Sequence, residues 1–258
     1  MQETAIQAAR KAGDVLMMSF RKNLKAKRKS SGQLVTDADI KSEKRIIESI
    51  SNEFPEHSIL SEEAGEIRRN SYYKWIIDPL DGTNNFAYGF PHFGVSIALE
   101  HQSELILGIV YLPFFNELYV AEKNGGASKN SKPISVSEKG LSDAFMIYES
   151  ELYFNDKEPL RKLDRLIDAV FTTRVFGAPS LDLVSVASGE ADICIHLTVE
   201  PEDIAAGGLI VEEAGGKVTD LDGRSWSPYK GQLVASNGKA HSKIIEYLRG
   251  SSKFSTAL

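Results

Sequence analysis

Two carboxylates and a hydroxyl lie within one short segment, Asp78-Pro79-Leu80-Asp81-Gly82-Thr83. The apolar run before it, Lys74 to Ile77, is typical of a buried strand. Since Asp-Pro-x-Asp-Gly after a strand leaves no room for a helix, we expect a tight turn that brings Asp78 and Asp81 together near the backbone carbonyl of Leu80. Such a cluster of oxygen atoms suits a hard divalent cation.

Asp, Pro and Gly are also ordinary turn residues, so this segment alone is equally compatible with a purely structural turn. Two further acidic positions favour the metal site. Glu62 follows the apolar pair Ile59-Leu60, and Asp203 lies inside Glu-Asp-Ile-Ala-Ala-Gly-Gly. Three separate segments therefore offer carboxylates at points where one predicted structural element gives way to the next.

Three long motifs occur in order along the chain: SEEAG around Glu62, DPLDGTNNF from Asp78, and EDIAAGGLIVEEAGG around Asp203. Together they resemble the inositol monophosphatase family of magnesium-dependent, lithium-sensitive phosphatases, over nearly the whole chain. The residue pattern alone indicates a mixed α/β fold. The resemblance implies a layered α-β-α-β-α sandwich of the inositol monophosphatase and fructose-1,6-bisphosphatase type, a homodimer, and inhibition by lithium.

The resemblance also implies how the carboxylates are used. One Mg²⁺ would take Glu62, Asp78 and the Leu80 carbonyl, and a second would take Asp78, Asp81 and Asp203, with a weaker third ion near Glu62. Asp203 has another interpretation, because a carboxylate at the start of a helix is a favourable N-terminal cap.

Catalysis is expected to rest on Glu62 and Thr83, which by resemblance position the attacking water, with Thr83 oriented by Asp39. This predicts direct hydrolysis without a phosphoenzyme. Asp39 has a structural alternative, because Thr36-x-x-Asp39 is a capping-box signature compatible with that role. Glu63 points away from Glu62 in an extended segment, so we expect it behind the metal ligands.

The substrate is expected to contact the segment that begins at Leu80 and a second loop that begins at Gly177. Gly82 and Thr83 are predicted to open a helical turn whose backbone N–H groups receive phosphate oxygens. The expected substrate-binding residues are Leu80, Asp81, Gly82, Thr83, Gly177, Ala178, Pro179, His196 and Asp203.

His196 and Glu202 depart from the family pattern. His196 stands where the family has its inositol-recognising glutamate, and Glu202 replaces an aromatic residue. His196 is either a histidine satisfied at a strand end or a contact to a sugar hydroxyl or a second phosphate. Both departures weaken the expectation of strict inositol specificity.

The leading hypothesis is Mg²⁺-dependent hydrolysis of inositol monophosphate, with fructose 1,6-bisphosphate as a further candidate. The alternative within enzymes is a 3′-phosphoadenosine 5′-phosphate or NADP phosphatase. A non-enzymatic alternative is a metal-dependent regulatory or binding protein.

Composition is ordinary for a globular protein, with 42% hydrophobic residues among 258. The single cysteine, Cys194, excludes an intramolecular disulfide and fits a reducing compartment. With no signal-like N-terminus and no long apolar stretch, we expect a cytoplasmic protein that does not associate with membranes. The net charge of −6 argues against general binding of nucleic acid.

A basic run follows the first predicted helix: Arg21, Lys22, Lys25, Lys27, Arg28 and Lys29. It is either a solvated linker or a surface that attracts an anionic substrate to the site.

Periodicity predicts two N-terminal amphipathic helices, the first with Met17 and the second with Ile40 on its apolar face. An antiparallel meander is expected between residues 93 and 121, followed by strands alternating with helices. The polar stretch from Lys123 to Gly140 suggests an N-terminal half, residues 1–135, with most metal ligands. The C-terminal half, residues 136–258, would carry Asp203, and the two would form one compact unit.

Overall fold

A computed structural model describes residues 1–22, 26–28, 34–148 and 163–250. Lys25 and Lys29 of the basic run lie outside these residues. No helix within the described ranges is long and apolar enough to cross a membrane.

The larger sheet has eight strands in the order β10-β9-β8-β7-β6-β5-β3-β4. Its strands are β3 (Ser58–Ser61), β4 (Gly65–Ile67), β5 (Tyr73–Asp81), β6 (Gly94–His101), β7 (Glu104–Leu112), β8 (Glu117–Glu122), β9 (Gly126–Lys129) and β10 (Lys132–Pro133). Strands β5 to β8 pair antiparallel in sequence order, which confirms the predicted meander. The pair β3–β5 is parallel because the chain reverses in β4, which pairs antiparallel with β3, and turns again before β5.

The smaller sheet has five strands in the order β12-β11-β13-β15-β14. They are β11 (Phe145–Tyr148), β12 (Thr172–Arg174), β13 (Ile193–His196), β14 (Lys217–Thr219) and β15 (Leu233–Ser236). A separate antiparallel ribbon joins β1 (Ala26–Arg28) to β2 (Leu34–Thr36). The α-helices of the described residues are α1 (Gln2–Ser19), α2 (Asp37–Glu53), α3 (Thr83–Ala87), α4 (Asp164–Ala169), α5 (Pro179–Ala187), α6 (Pro201–Glu213) and α7 (His241–Gly250).

Alternation along the strands separates the core into layers. Trp75 and Ile77 of β5 pack with α1 and α2, whereas Ile76 packs with α5 and α6 on the opposite face. The smaller sheet repeats this arrangement: Ile147 faces α5 and α6, and Met146 faces α4 and α7. The order of layers is therefore α1/α2, larger sheet, α5/α6, smaller sheet, α4/α7, which confirms the α-β-α-β-α sandwich.

Helix α6 lies between two sheets, and small residues allow the close approach. A Cβ on Gly108 of β7 would lie 2.7 Å from the carbonyl oxygen of Ala206, and one on Gly207 would lie 2.7 Å from Leu183 of α5. The Ala-Ala-Gly-Gly run of α6 is thus explained by packing on both sides.

Several local expectations were wrong. Met17 and Ile40 are exposed, because the buried faces of α1 and α2 are built from smaller and polar residues, among them Ser42 and Glu43. Residues 126–133 of the polar stretch form β9 and β10 at the edge of the larger sheet, where one face needs no apolar side chains.

The predicted division at residue 135 lies between the end of the larger sheet at Pro133 and a 3₁₀ turn at Leu141–Asp143. Division into halves stays a prediction. One apolar cluster joins side chains from both sheets to α5 and α6, so the core is shared.

Candidate active site

Asp78 and Asp81 both lie within β5. This strand continues through the residues where we expected a turn and ends at Asp81. Asp78 pairs with Ser96 and Asp81 with Gly94, so a step of three residues on β5 opposes two on β6. In a regular strand residues three apart face opposite sides, but the extra residue of a bulge restores the same side. The tight-turn prediction was wrong, yet the bulge makes it possible for both carboxylates to face the same side.

Helix α3 begins directly after this strand. Its N-cap, Gly82, has φ +82°, and a Cβ there would lie 2.7 Å from the carbonyl oxygen of His92. Only glycine fits both the left-handed conformation and the close contact. The helix opening predicted at Gly82 and Thr83 is confirmed.

Thr83 Oγ1 lies 3.0 Å from Asp39 Oδ1 and 3.0 Å from the Leu80 carbonyl oxygen. Asp39 Oδ2 accepts hydrogen bonds from the Thr36 backbone N–H at 2.8 Å and from its hydroxyl at 2.5 Å. The capping box at the start of α2 is therefore present. The two interpretations of Asp39 are compatible, because each carboxylate oxygen has its own partner.

Helix α2 also holds the segment that carries Glu62. Glu43 Oε1 accepts hydrogen bonds from Ser61 Oγ at 2.5 Å, Glu63 N–H at 3.1 Å and Ala64 N–H at 2.9 Å. The Glu62 N–H donates to the Ile77 carbonyl at 3.3 Å, which fixes it beside β5. Sequence reasoning missed Glu43, although its place four residues after Asp39 predicts the same helix face.

Asp203 occupies the third position of α6, which begins at Pro201, two residues before Asp203. Its carboxylate accepts a hydrogen bond from the Glu200 N–H at 2.9 Å, so it does cap the helix. Desolvation, followed by the charge of Asp81, raises the pKa of Asp203 well above its usual range. Capping and a position in the acidic cluster coexist.

The carboxylates of β5 carry the strongest electrostatic signal. Burial, followed by the charges of Glu62, Asp81 and Asp203, raises the pKa of Asp78 well above its usual range. Burial raises the pKa of Asp81 to about 6, although hydrogen bonds from Ser180 oppose the rise. Four carboxylates from three segments thus repel one another in one place, as a set of ligands for cations would.

The loop before α5 reaches the same place. Ser180 donates to Asp81 Oδ2 from its backbone N–H, at 2.9 Å, and from its hydroxyl. Asn85 Nδ2 of α3 donates to the carbonyls of Phe176, at 2.6 Å, and Gly177, at 3.3 Å. Gly177, Ala178 and Pro179 are thereby held near Gly82. Ser180 was missed because its partner is 99 residues distant in sequence.

His196 lies in the interior and is fully buried. Its Nε2 atom is 3.8 Å from Asp182 Oδ2 and 3.1 Å from Cys194 Sγ. Burial lowers the pKa of His196 to about 3, so the imidazole is neutral near pH 7. Glu202 is also buried, and its backbone carbonyl accepts a hydrogen bond from Ser96 Oγ at 3.1 Å.

A model of the inositol monophosphatase family matches residues 1–253. The chain belongs to the inositol monophosphatase family. Its relatives include the Nus factor SuhB of Vibrio cholerae, 36% identical over 96% of both chains. The inositol-1-monophosphatase of Caulobacter vibrioides is 36% identical, over 95% of this chain and 99% of that one. The solved IMPase of Thermotoga maritima superposes with a TM-score of 0.89 at 31% identity, over 97% of each chain.

The inositol monophosphatase family is metal-dependent, and the donor set found here fits that chemistry. Oxygen ligands suit Mg²⁺, and buried carboxylates whose pKa values rise through mutual repulsion need a positive charge between them. Within the part of the chain that the structure describes, Asp78 and Asp81 accept hydrogen bonds from backbone N–H groups and from the Ser180 hydroxyl, and from no lysine or arginine.

Proposed function

We propose that this chain hydrolyses a small phosphomonoester with Mg²⁺, and that inositol monophosphate is the first substrate to test and fructose 1,6-bisphosphate the second. The observation that carries the proposal is the placement of the Thr83–Asp39 pair beside the acidic cluster of Glu62, Asp78, Asp81 and Asp203. Family membership supports the same reaction class.

The ions would be held as the family resemblance implies. Glu62, Asp78 and the Leu80 carbonyl would hold one ion, and Asp78, Asp81 and Asp203 a second, with Glu62 beside a third. When bound, Mg²⁺ neutralises the phosphate, lowers the pKa of a water molecule and stabilises the leaving oxygen. Ser180 would hold Asp81 in place through its two hydrogen bonds.

Thr83 has one hydroxyl proton and two acceptors at 3.0 Å, Asp39 and the Leu80 carbonyl. Once that carbonyl is used as a ligand, Asp39 becomes the acceptor that fixes the hydroxyl. The lone pairs of Thr83 Oγ1 then accept a hydrogen bond from the attacking water, with Glu62 as its second partner. Neither residue becomes a covalent nucleophile, so no phosphoenzyme forms.

The phosphate would lie at the backbone N–H groups of Gly82 and Thr83, with Gly177, Ala178 and Pro179 lining the rest of the substrate site. His196, which was expected among the substrate-binding residues, is fully buried beside Cys194 and Asp182, so its imidazole presents no exposed surface to a substrate.

The test is phosphate release from inositol 1-phosphate, fructose 1,6-bisphosphate, 3′-phosphoadenosine 5′-phosphate and NADP, each with Mg²⁺ and with EDTA. We expect Mg²⁺-dependent release, fastest from inositol 1-phosphate. Dominant turnover of a nucleotide would make the nucleotide phosphatase the correct assignment, and silence on all four would reject the proposal.

A regulatory role is the second candidate, favoured by the similarity to the protein named Nus factor SuhB. The expectation that nucleic acid is not a partner stays a prediction. The two functions can be separated experimentally, because Thr83→Ala should strongly lower turnover and leave a binding role intact. Homodimerisation and lithium inhibition are proposed from family membership and are tested by light scattering and by LiCl titration of the same assay.

A further inference from the structure

Three side chains of different chemistry meet in the layer between helix α5 and the smaller sheet. Asp182 projects from α5, while Cys194 and His196 are two residues apart on β13 and so face the same side. All three are buried, with at most 1% of each exposed. One ligand atom from each lies within 4.8 Å of the other two.

The spacing fits one tetrahedral ion. With Zn–S about 2.3 Å and Zn–N or Zn–O about 2.0–2.1 Å, the edges of a tetrahedral site are roughly 3.3–3.6 Å. The distance from Cys194 Sγ to His196 Nε2 is 3.1 Å, and that from His196 Nε2 to Asp182 Oδ2 is 3.8 Å. Both distances lie within about half an ångström of that range.

Charge and donor type point to the same class of ion. A thiolate and a carboxylate carry two negative charges, which a divalent cation neutralises in a buried place. Sulfur and imidazole donors suit Zn²⁺ and related transition metals, whereas Mg²⁺ takes oxygen. The Nε2 atom of His196 lies next to both other donor atoms, where an imidazole nitrogen can act as a ligand.

We propose that Asp182, Cys194 and His196 form a transition-metal site, best suited to Zn²⁺, that is separate from the acidic Mg²⁺ cluster. The three protein ligands leave one coordination position for water or a further ligand. The ion would join α5 to β13, and Ser180, the second residue of α5, binds Asp81. This inference does not depend on the proposed phosphatase activity.

The test is a Co²⁺ titration of the full chain in excess Mg²⁺, which keeps the acidic cluster filled. Cys194 is the one cysteine of the sequence, so any sulfur-to-cobalt charge-transfer band reports this site alone. We expect one equivalent of Co²⁺ to produce the band and one equivalent of Zn²⁺ to remove it. No band at saturating Co²⁺ with folded wild-type protein would overturn the proposal, and this result needs no variant.

Variants then assign the ligands. Cys194→Ser should abolish the band, and His196→Gln and Asp182→Asn should each weaken Co²⁺ binding at least tenfold. Asp203→Asn is the matched control, because it alters the acidic cluster and should leave the band unchanged. A band that persists at full affinity in His196→Gln would contradict the assigned ligand set, provided that circular dichroism gives the wild-type fold.

Discussion

At the scale of single residues, the decisive group is the Thr83 hydroxyl, which lies 3.0 Å from two acceptors. Which acceptor it uses sets where its lone pairs point. Asp39 is itself fixed by Thr36, and its pKa is raised by burial while the hydrogen bonds from Thr36 and Thr83 oppose the rise. A chain of three side chains therefore ends at the place where water would be positioned.

We predict that Thr83→Ala lowers kcat about 10²-fold or more, because it removes the hydroxyl that positions the water. Thr83→Ser is the matched control and should keep most of the activity. The measurement is steady-state phosphate release at saturating Mg²⁺, with the melting temperature as the check on folding. Equal activity of the alanine and serine variants would show that Thr83 does not act in the reaction.

At the scale of elements, helix α2 is the platform of the site. Asp39, Ser42 and Glu43 lie on its buried face and bind, in turn, Thr83, the Pro79 carbonyl at 2.7 Å, and the segment around Glu62. One helix thus sets the relative position of Thr83, of the predicted metal ligands on β5 and of Glu62, which directly follows β3.

We predict that Glu43→Ala costs about 2–3 kcal/mol of unfolding free energy, because it leaves the Glu63 and Ala64 N–H groups and the Ser61 hydroxyl without their acceptor. Activity should fall at least tenfold through displacement of Glu62. Glu43→Gln keeps a carbonyl acceptor and should recover most of both quantities. Urea unfolding measures the change in stability, and separate values of KM and kcat measure the change in activity. An alanine variant with wild-type stability and full activity would contradict the prediction.

Helix α7 is attached to the smaller sheet through His241. Its Nε2 lies 2.9 Å from Thr219 Oγ1 of β14, and its Nδ1 lies 2.8 Å from Ser236 Oγ of β15. Burial, followed by the charge of Lys217, lowers the pKa of His241 to about 4. The folded state therefore holds this imidazole neutral where the unfolded chain would bind a proton.

The pKa of His241 is lower in the folded protein than its unfolded value of about 6.5. Its contribution to the free energy of unfolding, at most ~3 kcal/mol, is therefore complete above pH 6.5 and is lost as the pH falls toward 4. We predict that His241→Gln destabilises the protein most at pH 7 and that the difference from wild type shrinks toward pH 4. Urea unfolding across this range measures it. A difference that stays constant with pH would mean that His241 is protonated equally in both states.

Sequence reasoning succeeded where the signal is local. The meander shows as apolar runs separated by turns, and Gly82 as the residue before a helix. It failed where contacts are distant: Ser180 binds Asp81, and the helix position of Glu43 does not show that Ser61, Glu63 and Ala64 are its hydrogen-bond donors. The end of β5 was misplaced because Asp-Pro-x-Asp-Gly is typical of a turn, and only pairing with β6 identifies a bulge.

At the scale of the whole molecule, the acidic cluster connects parts of the chain that are far apart in sequence. Asp78 and Asp81 come from β5 and Glu62 is the residue after β3, whereas Asp203 comes from α6 between the two sheets. Ser180, at the start of α5, also binds Asp81. Cations held there would bind the larger sheet to the central helix layer, which in turn packs on the smaller sheet.

We therefore predict that Mg²⁺ raises the stability of the entire fold. At a concentration 100 times the dissociation constant, one ion adds about 2.7 kcal/mol, which corresponds to a rise of several degrees in melting temperature. Asp78→Asn removes the carboxylate that we propose to be shared by two ions, and with it a charge that Glu62, Asp81 and Asp203 repel. It should melt higher than wild type in EDTA and gain much less from Mg²⁺.

Glu56→Gln provides the charge-matched control, because it removes one carboxylate from an exposed position away from the cluster. Its melting temperatures with EDTA and with Mg²⁺ should match those of wild type. An equal Mg²⁺ response in Asp78→Asn and wild type would place the stabilising ion elsewhere. If Asp78→Asn melts lower than wild type in EDTA, the hydrogen bond that the Leu80 N–H donates to the Asp78 carboxylate, 2.9 Å long, outweighs the repulsion within the cluster.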